Sequence, residues 1–198
     1  GVAPQYASTE QAAEKELPTF APADNIQNEA SVVEKVVHDG QIDADALSEL
    51  ERQGSAELAA IGYFLAGKME FERQNFSKAR TYLQSALRYD PNNPTILNYF
   101  ASLRVRTGNA AEALTYAERS VRIEPNSPDS LAVLGFAQYA ADRNRDAIRT
   151  WKRALEIRPD ANVQKLLEKA ERDAQAEADF TQRESSHFLG NIFHLHVH

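Results

Sequence analysis

The chain has 198 residues, 42% hydrophobic and 26% charged, with a net charge of −7. That balance is enough to bury a core and excludes a disordered chain. No apolar run reaches the ~18 residues of a bilayer span, and the absence of cysteine excludes disulfides, thiol nucleophiles and thiolate metal sites. The charge is uneven: residues 1–57 hold 12 acids against 3 bases, and the remainder 17 against 19. With an acidic first third and no long basic stripe, neither nucleic acid nor a membrane is the expected partner.

Residues 1–25 are polar and rich in Ala, Pro and Gln, and are expected to be extended or disordered. Residues 26–57 then read as a helix pair, with helices over 26–38 and 43–52 joined at Asp39-Gly40. Val32, Val33, Val36 and Val37 give one apolar face, and Leu47 and Leu50 the other.

From residue 60 the sequence repeats. Pro91, Pro125 and Pro159 recur at one fixed interval, each at the end of a similar run: Ala86-Leu87-Arg88-Tyr89-Asp90, Ser120-Val121-Arg122-Ile123-Glu124 and Ala154-Leu155-Glu156-Ile157-Arg158. Gly67, Ala101 and Gly135 form a second column at this interval, Ala79, Ala113 and Ala147 a third, and Ala66, Phe100 and Leu134 a fourth. Small residues at crossing points let helix axes approach to ~8–10 Å. Large apolar residues such as Leu83 and Trp151 fill the space beside them. Each Pro ends a helix, because it lacks an N–H and disfavours helical backbone in the residue before it. Asn93-Pro94 and Ser127-Pro128 suit the cap and first turn of the next helix.

This pattern resembles the tetratricopeptide repeat, whose unit is a helix–turn–helix of about 34 residues. The resemblance covers three units, 60–93, 94–127 and 128–161. It implies an all-α fold, a right-handed α–α superhelix. Counting back one period places residues 26–57 in phase, as a diverged repeat or N-terminal cap, with Gly40 and Ile42 in fitting places. Glu70, Arg104 and Gln138 depart from the family pattern, standing where an aromatic residue is common. Residues 162–183 read as a capping helix with Val163, Leu166, Leu167 and Ala170 on one face, and residues 184–198 as a tail. The junction through Phe188 is similar to bacterial proteins in which such an array leads into a metallopeptidase-like domain, although no His-Glu-x-x-His helix is present.

The resemblance implies a protein-interaction module, with no catalysis and no cofactor, that binds a protein or peptide in a groove lined by the first helix of each unit. Carried over by phase, the groove residues are Phe64, Lys68, Phe71, Asn98, Ser102, Val105, Arg106, Phe136 and Tyr139, with Lys68, Asn98 and Arg106 as polar contacts and the aromatics as an exposed strip. Chaperone-docking members hold a carboxylate with Lys, Asn and Arg. Phe64, Tyr99, Asp129 and Val133 occupy the matching places here, so chaperone tails are not the expected ligand. The chain's own acidic N-terminal segment or its apolar tail is an alternative occupant, and self-association another option. Two further readings compete: an accessory domain of a larger peptidase-like enzyme, and a metal-binding protein. For the second, His194, His196 and His198 alternate and would share one face of a strand. The basic run Arg143, Arg145, Arg149, Lys152 and Arg153 reads as a solvated convex face.

Overall fold

The computed structural model describes residues 17, 20–24, 26 and 29–194. Among these, nine helices follow in order: α1 Glu29–Val36, α2 Ala44–Arg52, α3 Ala56–Glu72, α4 Phe76–Tyr89, α5 Pro94–Arg106, α6 Ala110–Ile123, α7 Pro128–Ala140, α8 Asn144–Ile157 and α9 Ala161–His194. Consecutive helices pack as antiparallel pairs, α3 on α4, α5 on α6 and α7 on α8, and the pairs stack with α5 against α4 and α7 against both α6 and α5. The architecture is an all-α solenoid.

Each stop and start has a local cause. The helices α4, α6 and α8 end at Tyr89, Ile123 and Ile157, just before the recurring prolines. Asn93 Oδ1 accepts from the amides of Thr95 and Ile96 at 3.0 and 3.3 Å, and Ser127 Oγ from the Ser130 amide at 3.2 Å. These caps satisfy donors that the first turn leaves open. Between the helices of a pair the chain turns through a left-handed residue: Gln74 (φ 63°), Gly108 (φ 77°) and Asp142 (φ 59°), each one repeat period after the last. Gly40 (φ 71°) continues this series one period earlier.

At the crossings the small residues have no room to grow. A Cβ on Gly67 would lie 2.6 Å from Leu83 Cγ, and one on Gly135 would lie 2.3 Å from Trp151 Nε1. Leu83 and Trp151 are fully buried, and the indole N–H donates to the Ala132 carbonyl at 3.0 Å. The three polar departures from the family pattern are each tied to the turn or the second helix of their pair. Glu70 Oε2 accepts from Asn75 Nδ2 at 2.8 Å, Arg104 Nε donates to Glu112 Oε2 at 2.7 Å, and Gln138 Oε1 accepts from Thr150 Oγ1 at 2.7 Å. Hydrogen bonds replace the aromatic packing at these sites.

Two regions differ from the sequence expectation. The first helix ends at Val36, and Val37–His38 pairs with Gln41–Ile42 as a two-residue antiparallel hairpin. Two successive left-handed residues, Asp39 (φ 50°) and Gly40, supply the tight turn such a hairpin needs. At the other end, α9 does not stop at Arg183 but runs through His194. Its Ala-, Glu- and Gln-rich sequence holds no proline to end it. Val163, Leu166, Leu167 and Ala170 are buried against the last pair. Beyond that, Phe180, Phe188, Leu189 and Ile192 are exposed to solvent.

Gly135→Ala is expected to lower stability by about 1–3 kcal/mol through overpacking against Trp151. Gly190→Ala, with nothing near the added carbon, should raise it by up to ~1 kcal/mol through helix propensity; thermal melts of both variants check this contrast. Gln74→Gly should also raise the melting temperature, because it removes a left-handed strain of about 1 kcal/mol.

Candidate functional site

Lys68, Ser102 and Phe136 stand one repeat period apart, at the same place on α3, α5 and α7. They form one column running across the inner helices, and residues 20–24 lie along it. The segment's described residues have no regular secondary structure, and they alternate. Phe20 is half-buried, Ala21 exposed, Pro22 buried, Ala23 exposed and Asp24 half-buried. An extended chain sends successive side chains to opposite sides, so Phe20, Pro22 and Asp24 share the inward side.

At the α7 end, Leu17 and Phe20 pack on the cluster that includes Val105, Phe136 and Tyr139. The rings of Phe20 and Phe136 lie 5.3 Å apart at 45°, a favourable tilted pair. At the α3 end, Lys68 Nζ donates to Asp24 Oδ2 at 2.7 Å, while Asp24 Oδ1 accepts from the Ile26 amide at 3.2 Å. Ile26 itself packs on the apolar clusters of the first two helix pairs. Lys68 also lies 3.8 Å from Glu29. The Lys68 and Asp24 side chains keep 25% and 15% of their surface, which leaves this contact within reach of a competing solute.

One ammonium therefore serves two carboxylates. Burial and the neighbouring Asp24 push the Glu29 carboxyl above its ordinary range, and Lys68 only partly offsets them. Burial opposes the charge on Lys68, yet its bond to Asp24 leaves the ammonium more firmly protonated than usual. Burial drives the Tyr99 hydroxyl up to about 12; Lys68 pulls it down, and Asp24, Glu72 and Glu29 push it further up. Tyr99 thus belongs to this polar cluster. It stands next to Asn98 in the chain, and the sequence reading used it only as a departure from the chaperone clamp.

The exposed aromatic strip expected from the sequence is not there. Phe64, Phe71, Val105, Phe136 and Tyr139 are all buried. Phe64 and Phe71 meet Tyr99 edge to face at 5.1 and 5.8 Å, because neighbouring first helices pack against each other. Tyr139 turns toward the cap, donating its hydroxyl to Asp173 on α9. Arg106 is half-exposed, with its guanidinium 5.6 Å over the Phe76 ring. Asn98 is buried, and its amide donates to Ser130 Oγ at 3.3 Å. Asn98 Oδ1 and Ser102 Oγ, one helical turn apart, are buried without a hydrogen-bond partner. Such atoms are uncommon in native proteins and call for a reason.

His194 closes α9, His196 and His198 lie outside the described residues, and among the described residues no group of three His, Cys, Asp or Glu is disposed to hold a metal. Arg149 pairs with Asp146, Lys152 with Glu171, and Arg153 donates to the Pro125 carbonyl. Ser102→Ala removes a buried unpaired hydroxyl and should stabilise the chain by about 1 kcal/mol, read as a higher melting temperature.

Comparison with known proteins gives the same architecture. The family model for the tetratricopeptide repeat matches residues 104–170. No curated protein matches the chain. Among solved structures, the first TPR domain of human RPAP3 is similar at 20% identity and TM-score 0.57, covering 61% of this chain and 95% of that one. The first TPR of Spaghetti (RPAP3), solved with an HSP90 peptide, is similar at 22% identity and TM-score 0.55, covering 60% and 93%. The Sgt2 TPR domain from Aspergillus fumigatus is similar at 20% identity and TM-score 0.57, covering 61% and 82%.

Proposed function

We propose that this chain is a tetratricopeptide-repeat protein-interaction scaffold, without catalysis, that takes an extended peptide of a partner protein along the inner faces of α3, α5 and α7. The observation that carries this reading is the segment already lying there, an extended backbone anchored by an aromatic ring at Phe136 and a carboxylate at Lys68. A surface that holds one extended segment with alternate side chains inward has the geometry to hold another. The unpaired Ser102 hydroxyl in the middle of the column adds a polar group with bonding capacity to spare.

Affinity in this reading comes from two places: the apolar contact at Phe136 and a charge-assisted hydrogen bond at Lys68. Arg106, half-exposed on the same helix as Ser102, offers a second cation. The partner segment is acidic. An HSP90 peptide occupies the Spaghetti domain. In this chain Phe64, Tyr99, Asp129 and Val133 fill the places that resemble the carboxylate clamp of chaperone-docking members, and Asp129 is paired with Arg158. That chemistry points to an internal acidic segment, not a chaperone C-terminus.

The test is capture from the source lysate by the wild-type chain and by a Lys68→Ala/Arg106→Ala variant. Both substituted side chains are only half-buried, so the variant is expected to fold as the wild type does. A partner held by the wild type and at least about tenfold depleted with the variant supports the groove; the lost charge-assisted bonds are worth that much. Equal capture moves the binding surface elsewhere on the molecule.

A further inference from the structure

We propose that residues 20–24 are the groove's own internal ligand, so that an outside partner must carry the same pattern and displace it: an aromatic residue, a small apolar residue or proline two positions on, and a carboxylate four positions on. This rests on the groove reading above and adds to it both the partner's chemistry and the way binding is regulated.

The pattern is read from contacts. Phe20 meets Phe136, Pro22 is buried, and Asp24 binds Lys68, while the intervening Ala21 and Ala23 face solvent. The two anchors, Phe20 and Asp24, engage two members of the same column, on α7 and α3, and straddle the third. Specificity then comes from the inward side chains, and the outward positions accept any residue. Proline suits the place because it adopts extended backbone readily.

The segment is built to leave. Its ion pair keeps 25% and 15% of its side-chain surface, open to competition from an outside carboxylate. The Glu29 carboxylate, also beside Lys68, repels Asp24 and competes for the same ammonium. A cis segment needs only modest intrinsic affinity to occupy the groove, because its tether keeps it at high effective concentration. An outside ligand meets that occupancy as a reduction of its apparent affinity by the open fraction.

The experiment uses the full chain and a fluorescein-labelled synthetic peptide with the sequence of residues 17–26, followed by fluorescence anisotropy. Three proteins are compared: wild type, a Phe20→Ala/Asp24→Ala variant, and that variant with Lys68→Glu added. For a segment closed nine-tenths of the time, the double variant binds the peptide about tenfold tighter than wild type, and Lys68→Glu abolishes the gain. If thermal melting shows the double variant misfolded, Asp24→Lys alone takes its place, since it touches only the partly exposed pair. Equal, measurable binding by wild type and released chain overturns the internal-ligand proposal while leaving the groove reading intact. No binding by either also overturns it, and lysate capture then judges the groove separately. Tight binding that survives Lys68→Glu overturns the carboxylate anchor.

Discussion

The first and third helix pairs close where a first helix carries no side chain, at Gly67 and Gly135, and a second helix presses a large one into the gap, while the middle pair has Ala101 at the same place. Leu83 and Trp151 would collide with any carbon added at Gly67 and Gly135. Close crossing brings the backbones together, and each first helix then packs on the second helix of the pair before it, α5 on α4 and α7 on α6, which sets α3, α5 and α7 side by side. The inner surface exists because these three helices are neighbours. Remove the small residues and the pairs separate, the column of Lys68, Ser102 and Phe136 loses its register, and nothing of the groove remains.

That same tight packing explains the character of the groove. In α5, the run from Thr95 to Val105 is buried on every side, because helices pack on both flanks. Aromatic residues on the inner helices are therefore largely consumed as core. Phe64 and Phe71 pack around Tyr99 rather than waiting for a ligand. What remains for recognition is sparse: one ammonium, one aromatic contact at Phe136, and unpaired polar atoms on Asn98 and Ser102. A sparse surface of this kind favours an extended ligand that touches it at intervals.

The polar residues that break the repeat's apolar pattern are consistent with the fold because each finds a partner further along its own pair. Glu70, Arg104 and Gln138 all bond to the turn or helix that follows, and the cost of placing a polar group at a packed position is offset by that bond. The far end of α9 obeys a different rule. Glu177 still reaches Asn144 on α8, but beyond it the helix leaves the stack. Phe180, Phe188, Leu189 and Ile192 stay in water although the backbone remains helical. Local propensity sustains that stretch.

The sequence by itself determined the period, the helix pairs, most of their boundaries and the column of inner positions. Those features are local: a proline stops a helix wherever it stands, an Asn or Ser caps the next, and a small residue recurring once per period marks a crossing whatever surrounds it. Lys68, Ser102 and Phe136 could be placed on one face from spacing alone. Only the tertiary structure decided which of the carried-over residues remain open, because burial depends on how closely neighbouring helices approach and not on phase. It also decided that Tyr139 turns to Asp173 on the cap, and that residues 20–24 lie on the inner helices. The alternation of Phe20, Pro22 and Asp24 was present in the sequence, but so short a signal has no meaning until a surface with an ammonium at one end and an aromatic ring at the other is there to receive it.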